Sequence, residues 1–183
     1  MVDRSEQRSA EQQLENIIAE LRATLESTAD GILVVDMDGG IRGFNQRFAE
    51  LWDLPESMLR ERNDAAIFGW LTEHVRDAES YRDRMGQISR APLLEADDVL
   101  VLRSGKVLER VTLPQFARGR PIGRVFSFRD ITQRLADEAR LKLAARVFES
   151  SLDAIFVTDA RFRMVAANPT FQRQTGWQSA EIE

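Results

Sequence analysis

Arg110 is the residue in this sequence with the clearest capacity for binding chemistry. It lies on a run predicted to be a strand, residues 106 to 117. Alternation along that strand places three side chains on one face: Leu108, Arg110 and Thr112. If this face is buried, the guanidinium could hold a carboxylate or phosphate through paired hydrogen bonds. If it is exposed, we expect a weak surface ion pair with one of the nearby acids, Glu109, Asp97 or Asp98.

Few other residues could support catalysis. The 183 residues contain no cysteine, which excludes thiolate nucleophiles, disulfides and cysteine metal sites, and they contain one histidine, His74. Asp97 and Asp98 are adjacent on a predicted strand, so their side chains point to opposite faces and cannot form a catalytic dyad. No glycine-rich loop suited to phosphate is present. We therefore predict that this chain is not an enzyme.

Composition restricts the partners. The net charge is −5 and no Lys/Arg-rich run occurs, which argues against a nucleic-acid partner. No apolar run approaches the length of a membrane span, and the N-terminus is too polar for a signal peptide. We expect a cytoplasmic chain without direct membrane contact, although a longer parent protein could be tethered to a membrane.

The first segment predicts a helix with one apolar stripe. Residues 3 to 28 contain no glycine or proline. Apolar residues recur there at spacings of three and four: Leu14, Ile17, Ile18, Leu21 and Leu25. The other faces are charged, so the stripe favours a two-stranded coiled coil or a helix packed on its own domain.

The middle of the chain predicts an α+β domain. Two short strands, 31 to 36 and 41 to 44, flank a hairpin turn at Asp38-Gly39-Gly40, and Asn45 can cap the helix that follows. Residues 64 to 90 predict further helix with Trp70 among its core positions. Three strands follow, with turns at Ser104-Gly105 and at residues 119 to 121. This order predicts an antiparallel sheet with helices on one face.

The last strand runs directly into a helix in the segment Gly123 to Leu135, GRVFSFRDITQRL. Asp130 can accept a hydrogen bond from the first helical turn, and Gln133 can reach back to the cap. Ile131 and Thr132 lie between them. A strand that continues into a capped helix predicts that a shift of the sheet moves the start of the helix.

The chain also repeats itself at a shift of 123 positions, without a gap. The matched pairs include Leu25 with Phe148, Asp30 with Asp153, Asp36 with Asp159, and Asn45 with Asn168. The second copy reaches Glu183 without the later helices and closing strands. We interpret it as the beginning of a second, incomplete domain.

These motifs together resemble the PAS domains of bacterial signalling proteins. The residues that carry the resemblance are Asp30-Gly31-Ile32, Val35-Asp36 with Gly39, Asn45 and Phe48, Ser104-Gly105, and Asp130-Ile131-Thr132. The resemblance implies a five-stranded PAS fold. It divides the chain into an N-terminal helix (1–28), a complete PAS domain (29–131), a linker signalling helix (132–150) and the start of a second PAS domain (151–183).

The resemblance also implies a ligand cavity and a homodimer. The side chains expected at the cavity are Arg110, Leu100, Leu108, Thr112, Phe126, Phe128 and Trp70. The residues expected to relay a signal are Asp130, Ile131, Thr132 and Gln133, and those expected at the dimer interface are Leu14, Ile18, Leu21 and Leu25. A small carboxylate-type ligand would suit Arg110.

The family's cofactors fit this sequence poorly. Where light-sensing members carry a reactive cysteine, this chain has Gln46, and where they carry a flavin-binding glutamine it has Phe128. Leu100 and Arg110 replace their asparagines, so flavin adduct chemistry is excluded and bound FAD is disfavoured. His74 is a weak haem-ligand candidate, because alignment of the family's haem motif on Tyr81 places its histidine at Ala78. The cofactor stays unassigned, and a domain without any cofactor is one of the alternatives.

Three functions follow from the resemblance. The first is a sensory and dimerisation module that relays a small-molecule or redox cue through residues 130–133 to an output domain outside this chain. The second is a ligand-free structural PAS domain that only dimerises and transmits. The third is a haem or flavin sensor. The parent protein would be a diguanylate cyclase, a cyclic-di-GMP phosphodiesterase or a histidine kinase.

Overall fold

The structure is a computed structural model that describes residues 4–61 and 63–176. The chain divides after Thr132 into two compact units. The predictions for residues 1–3 of the first helix and 177–183 of the second domain lie outside the described residues. Among the residues described, no helix combines the length and the apolar composition needed to cross a bilayer.

The first unit follows the predicted order of elements. These are α1 (Arg4–Glu26), β1 (Gly31–Asp36), β2 (Ile41–Phe44), α2 (Gln46–Leu51), α3 (Glu56–Glu61), α4 (Asp64–His74), α5 (Ala78–Arg90), β3 (Ala96–Val101), β4 (Val107–Ala117) and β5 (Arg120–Asp130). The helix α6 (Thr132–Ser150) begins at Thr132, the last residue of the first unit. The strands form one antiparallel sheet in the order β2-β1-β5-β4-β3, which confirms the predicted α+β fold class.

The inner face of the sheet is defined by strand register. Leu33 pairs with Phe126, which pairs with Thr112, and all three side chains are buried. Helical residues complete the core from one side of the sheet: Phe48, Leu51, Trp52, Ile67, Leu71, Tyr81 and Ile88. The outer-facing Val99 and Leu113 are exposed. The inner face of the sheet and the apolar faces of the helices therefore pack against each other in one apolar layer.

One predicted turn is wrong. Residues 119 to 121 were expected to join the last two strands, but the turn lies at Arg118 and Gly119, whose φ angles are 48° and 76°. Positive φ at both central residues gives the hairpin turn whose twist matches the flanking strands. Arg120 therefore begins β5, and Pro121 pairs with Phe116 in the ladder.

The second unit repeats the first at its polar core. It contains β6 (Phe156–Thr158), β7 (Met164–Ala167) and α7 (Pro169–Thr175). In each unit an Asn Oδ1 accepts from two backbone amides, those of Ile32 and Phe48 around Asn45 and those of Ile155 and Phe171 around Asn168. Every partner is displaced by 123 positions, so the sequence repeat is also a repeat of hydrogen bonding.

Candidate functional site

Most residues predicted for the ligand cavity belong to the packed core instead. Leu108, Arg110, Thr112, Phe126 and Phe128 lie on the inner face and are buried. Leu100 and Trp70 are partly buried against the same core. Of these seven side chains, only Phe126 lines the open cavity described below.

Aromatic side chains occupy the centre of the predicted cavity. The Phe128 ring lies 5.5 Å from Phe48 and 5.5 Å from Trp52, the latter in an edge-on arrangement. Trp70 covers the group from α4 and donates its indole N–H to the backbone carbonyl of Trp52 at 2.9 Å. Tilted and edge-on packing of this kind is favourable, so this part of the core is filled by the chain's own rings.

Arg110 points inward, but its partner comes from the chain itself. Its side chain is fully buried, and Nη2 donates to Asp98 Oδ2 at 2.6 Å. The sequence offered a pair with Asp98 only as the alternative in which Arg110 is exposed. The structure places it inside because Asp98 is directly opposite Arg110 on the neighbouring strand. Nη1 donates to Met85 Sδ at 3.1 Å, and the guanidinium carbon lies 5.6 Å from the centre of the Tyr81 ring.

Asp98 is the acidic centre of this buried network. Its second oxygen accepts from Arg84 Nε at 2.7 Å. Burial acts to raise the pKa of Asp98, but the hydrogen bonds and charges of Arg110 and Arg84 outweigh that effect, so the pKa lies below its ordinary value. Asp98 is therefore ionised at neutral pH and neutralises the charge of Arg110.

An open cavity of about 390 Å³ lies beside this network, at the edge of the sheet where β1 ends and β5 begins. Its apolar lining includes Val35, Phe68, Tyr81, Met85, Ile88 and Phe126. Polar groups at its wall include Asp36, Thr72, Arg82, Ser89 and Arg124. A mostly apolar cavity with a few polar groups is the usual composition of a small-molecule site.

Arg124 is a functional candidate that the sequence analysis missed. Its side chain is only 6% exposed. Nη2 donates to the carbonyls of Ala91 at 2.8 Å and Pro92 at 3.0 Å, and Nη1 donates to the carbonyl of Leu94. Burial lowers the pKa of Arg124. The alternation that placed Phe126 and Phe128 inward also places residue 124 inward, so the signal was available in the sequence.

The joint between sheet and helix is held by short hydrogen bonds. Asp130 Oδ1 accepts from the Thr132 amide at 2.9 Å and from Thr132 Oγ1 at 2.5 Å. Thr132 Oγ1 in turn accepts from the Val107 amide at 2.8 Å, and Ile131 is buried. Burial acts to raise the pKa of Asp130, but the Thr132 hydrogen bonds outweigh it and the pKa is lowered. The first residue of α6 is thereby bonded to the first residue of β4.

Gln133 does not reach back to the cap as predicted. Its side-chain amide donates to Asp137 one turn later, at 3.0 Å. Thr132 already supplies the hydrogen bonds to Asp130, so the local Asp-Thr contact replaces the predicted capping box. Gln133 therefore contributes to the surface of α6 rather than to the joint.

The residues predicted for a dimer interface are exposed in the chain described here. Leu14, Ile18, Leu21 and Leu25 all lie on α1, and Leu14 and Leu21 are 59% and 60% exposed. Ile17 extends the same stripe. The apolar face of α1 is thus largely uncovered by its own unit.

His74 has neighbours typical of a structural residue. Its ring stacks on Trp70 at a centroid distance of 3.8 Å, and Nδ1 lies 2.9 Å from the Trp70 carbonyl oxygen. It does not line the open cavity. Within residues 4–61 and 63–176, no cluster of three or more His, Cys, Asp or Glu side chains is arranged to hold a metal.

Comparisons with known families identify one fold. A family model described as PAS fold matches residues 25–139, more than half of the chain, and a model described as PAS domain matches residues 142–183. No curated protein matches.

PAS domains are also among the similar solved structures. The PAS domain of an HTR-like protein from Haloarcula marismortui is 25% identical, with a TM-score of 0.50 over 68% of this chain and 99% of that one. The PAS domain of BvgS from Bordetella pertussis is 15% identical, with a TM-score of 0.47 over 72% of this chain and 98% of that one. The sensor region of a sensor histidine kinase is 15% identical, with a TM-score of 0.46 over 57% and 40% of the two chains.

Proposed function

This chain belongs to the PAS fold family, and from that premise we propose that it is a sensory and dimerisation module of a cytoplasmic signalling protein. A small molecule bound by the first unit shifts the sheet, and the shift reaches α6 through Asp130 and Thr132. The second unit is the beginning of another PAS domain, in line with the match of residues 142–183. Catalysis belongs to an output domain outside this chain, of the cyclic-di-GMP or histidine kinase class.

The bonding of Thr132 is the observation that supports this relay best. One hydroxyl accepts from the Val107 amide in β4 and donates to Asp130 at the end of β5. Two neighbouring strands therefore hold the first residue of α6. A displacement of either strand changes the bonds that fix the helix start, which is the kind of two-state element that a signal requires.

Thr132→Val tests the joint, because valine has the same shape and lacks the hydroxyl. Loss of the acceptor should speed hydrogen exchange of the Val107 amide by about fivefold, corresponding to a net hydrogen bond of about 1 kcal/mol. Thr132→Ser is the matched control and should keep the protection. If the valine and serine variants exchange equally at Val107 and across the first turn of α6, the hydroxyl does not couple sheet and helix.

The cue itself is sought by native and denaturing mass spectrometry of freshly purified protein, with an absorption spectrum beside them. A released molecule that changes exchange in α6 of the wild type, but not of Thr132→Val, would support the relay. A coloured preparation would instead favour a haem or flavin sensor. A bound molecule whose removal leaves α6 unchanged in the wild type would contradict the relay.

We place the dimer interface on the stripe of α1. Five apolar side chains that are 43% to 60% exposed would be covered by the same helix of a second copy. Leu21→Glu should weaken the dimer in sedimentation velocity, because it puts a charge in the middle of the stripe. Ala23→Glu, on the opposite face of α1, is the control. Equal sedimentation of the two variants would remove α1 from the interface.

A ligand-free structural domain is the second candidate, and one observation favours it. Phe48, Trp52 and Phe128 fill the centre of the expected cavity, and Asp98 already neutralises Arg110. In that case the module would dimerise and transmit without sensing. Purified protein without excess mass, together with no thermal stabilisation by any probe of the open cavity, would favour this reading.

A further inference from the structure

The open cavity has a buried cation at its wall that no carboxylate neutralises. Among the described residues, Arg124 forms no ion pair, and its four Nη hydrogens go to three carbonyls and the Thr112 hydroxyl. Arg110, which is fully buried, has Asp98 as its counter-ion. A buried charge left without an opposite charge is costly, so Arg124 differs from the rest of the core.

The acidic side chains of the cavity wall, Asp36 and Asp38, form no ion pair with Arg124. Asp36 is committed to its own hairpin, where Oδ1 accepts from the amides of Asp38 and Gly40 and Oδ2 pairs with Arg42. Arg82 adds a second guanidinium to the wall, on the exposed side of α5. The wall therefore carries two guanidinium groups, the Asp36 carboxylate that is already paired with Arg42, and the exposed Asp38.

Arg124 keeps one nitrogen without a hydrogen-bond partner among the described residues. Both of its Nη atoms donate, but Nε does not. The fully buried atoms without a partner are Trp52 Nε1 and Arg110 Nε, so Arg124 Nε is not completely shielded from solvent. Tyr81 also lines this cavity, and burial raises the pKa of Tyr81 to about 12, which keeps its hydroxyl protonated.

We propose that this cavity binds a small organic carboxylate whose apolar body packs on Phe68, Met85, Ile88 and Phe126 and whose charge lies against Arg124. This inference rests on the proposed sensory function and names the class of cue. A volume of about 390 Å³ is at the lower end of small-molecule sites, which suits a compact aromatic or short aliphatic acid. The bound carboxylate would supply the counter-ion that the chain lacks.

Isothermal titration calorimetry with matched acids and amides tests the charge. The probes are 3-phenylpropanoate and hexanoate, each compared with its neutral amide of the same shape. We expect at least one acid to bind the wild-type chain tenfold or more tightly than its amide. Arg124→Gln should remove this preference while leaving amide binding within twofold. Arg82→Gln, which removes an exposed guanidinium from the same wall, should change acid binding less than threefold.

A second pair of variants tests the place without disturbing Arg124. Ser89→Trp introduces a large ring at the rim of the cavity and should abolish binding of acid and amide alike. Gln87→Trp, an exposed neighbour on α5 that does not line this cavity, should bind as the wild type does. This pair keeps the proposal testable if Arg124→Gln fails to fold because Ala91, Pro92 and Leu94 lose their donor.

Several results would overturn the proposal: no binding of either acid, equal affinity for acid and amide, loss of the preference in Arg82→Gln rather than Arg124→Gln, or unchanged binding in Ser89→Trp. The relay is judged separately by exchange at Val107. Suppose that Thr132→Val speeds exchange at Val107 and Thr132→Ser does not, but no acid binds more tightly than its amide. That outcome would refute the ligand class and leave the proposed sensory function in place.

Discussion

Replacing Asp98 by asparagine should destabilise the first unit far more than replacing Arg110 by methionine. Asp98→Asn leaves the Arg110 guanidinium fully buried without its counter-ion. Arg110→Met removes that buried charge and puts a side chain of similar length among Met85 and Tyr81. Asp98 then keeps Arg84 and its own partial exposure to water. Replacing Asp98 should therefore cost more free energy of unfolding than replacing Arg110, although the two residues form one ion pair.

The magnitude follows from what each change leaves behind. Removal of one partner of a buried pair costs about 3–5 kcal/mol, and we expect the lower end because the amide oxygen introduced by Asp98→Asn can still accept one hydrogen bond from Arg110. An apolar replacement of a buried charge is often neutral, so Arg110→Met should cost about 0–1 kcal/mol. The double variant Arg110→Met/Asp98→Asn should unfold close to Arg110→Met, because no buried cation remains at that position.

Urea unfolding followed by tryptophan fluorescence measures these differences. With a slope of about 2 kcal/mol per M, a loss of about 3 kcal/mol lowers the midpoint by about 1.5 M. Arg84→Gln is the matched control, since it removes only the more exposed partner of Asp98 and should cost about 0–1 kcal/mol. Equal losses in Asp98→Asn and Arg110→Met, or a larger loss in Arg110→Met, would refute the reasoning.

The same pair predicts a dependence on pH. The pKa of Asp98 is lowered in the folded state, against burial, by Arg110 and Arg84. Its stabilisation is therefore complete above the ordinary aspartate pKa of about 3.9 and is lost as pH falls through the lower folded value. The difference in unfolding free energy between wild type and Asp98→Asn should shrink below about pH 4. A constant difference across that acidic range would show that the charge of Asp98 is not responsible.

Two further predictions concern positions that the fold constrains closely. Gly123→Ala should cost about 2 kcal/mol or more in urea unfolding, because its Cβ would clash with the Val35 carbonyl oxygen. The control Gly43→Ala meets nothing within 4 Å and should stay within about 0.5 kcal/mol. Equal losses would contradict the close approach of β1 and β5. Asn45→Ala should lower the free energy of unfolding by about 3 kcal/mol, because two backbone amides lose their acceptor. Gln46→Ala, at an exposed neighbour, is the control and should change it little. A small effect at Asn45 would mean that water replaces its hydrogen bonds.

The general fold could be predicted because its signals are local. Alternation in residues 106–117 and the run of strand into helix at Asp130 depend on neighbours in sequence, and the repeat at 123 positions depends on a self-similarity without gaps. The Asn45 cap was also predicted, since a cap needs only the residues of the first helical turn. The turn at Arg118 and Gly119 was predicted slightly too late, at residues 119 to 121, because Pro121 suggested a turn there.

Only the tertiary structure decided what the inward side chains contact. Arg110 was expected either to face a ligand or to pair at the surface with an acid such as Asp98. Strand register decided between these by placing Asp98 opposite Arg110, and register joins residues that alternation alone cannot pair. The open space is determined by where α4 and α5 lie over the sheet, so it is found beside Arg124 rather than beside Phe128. The sequence by itself determined the α+β class and the faces of the strands, because these follow from the order and local periodicity of the elements, whereas the five-stranded PAS fold was implied by family resemblance. Charge pairing and the position of the cavity required the packing of segments far apart in the chain.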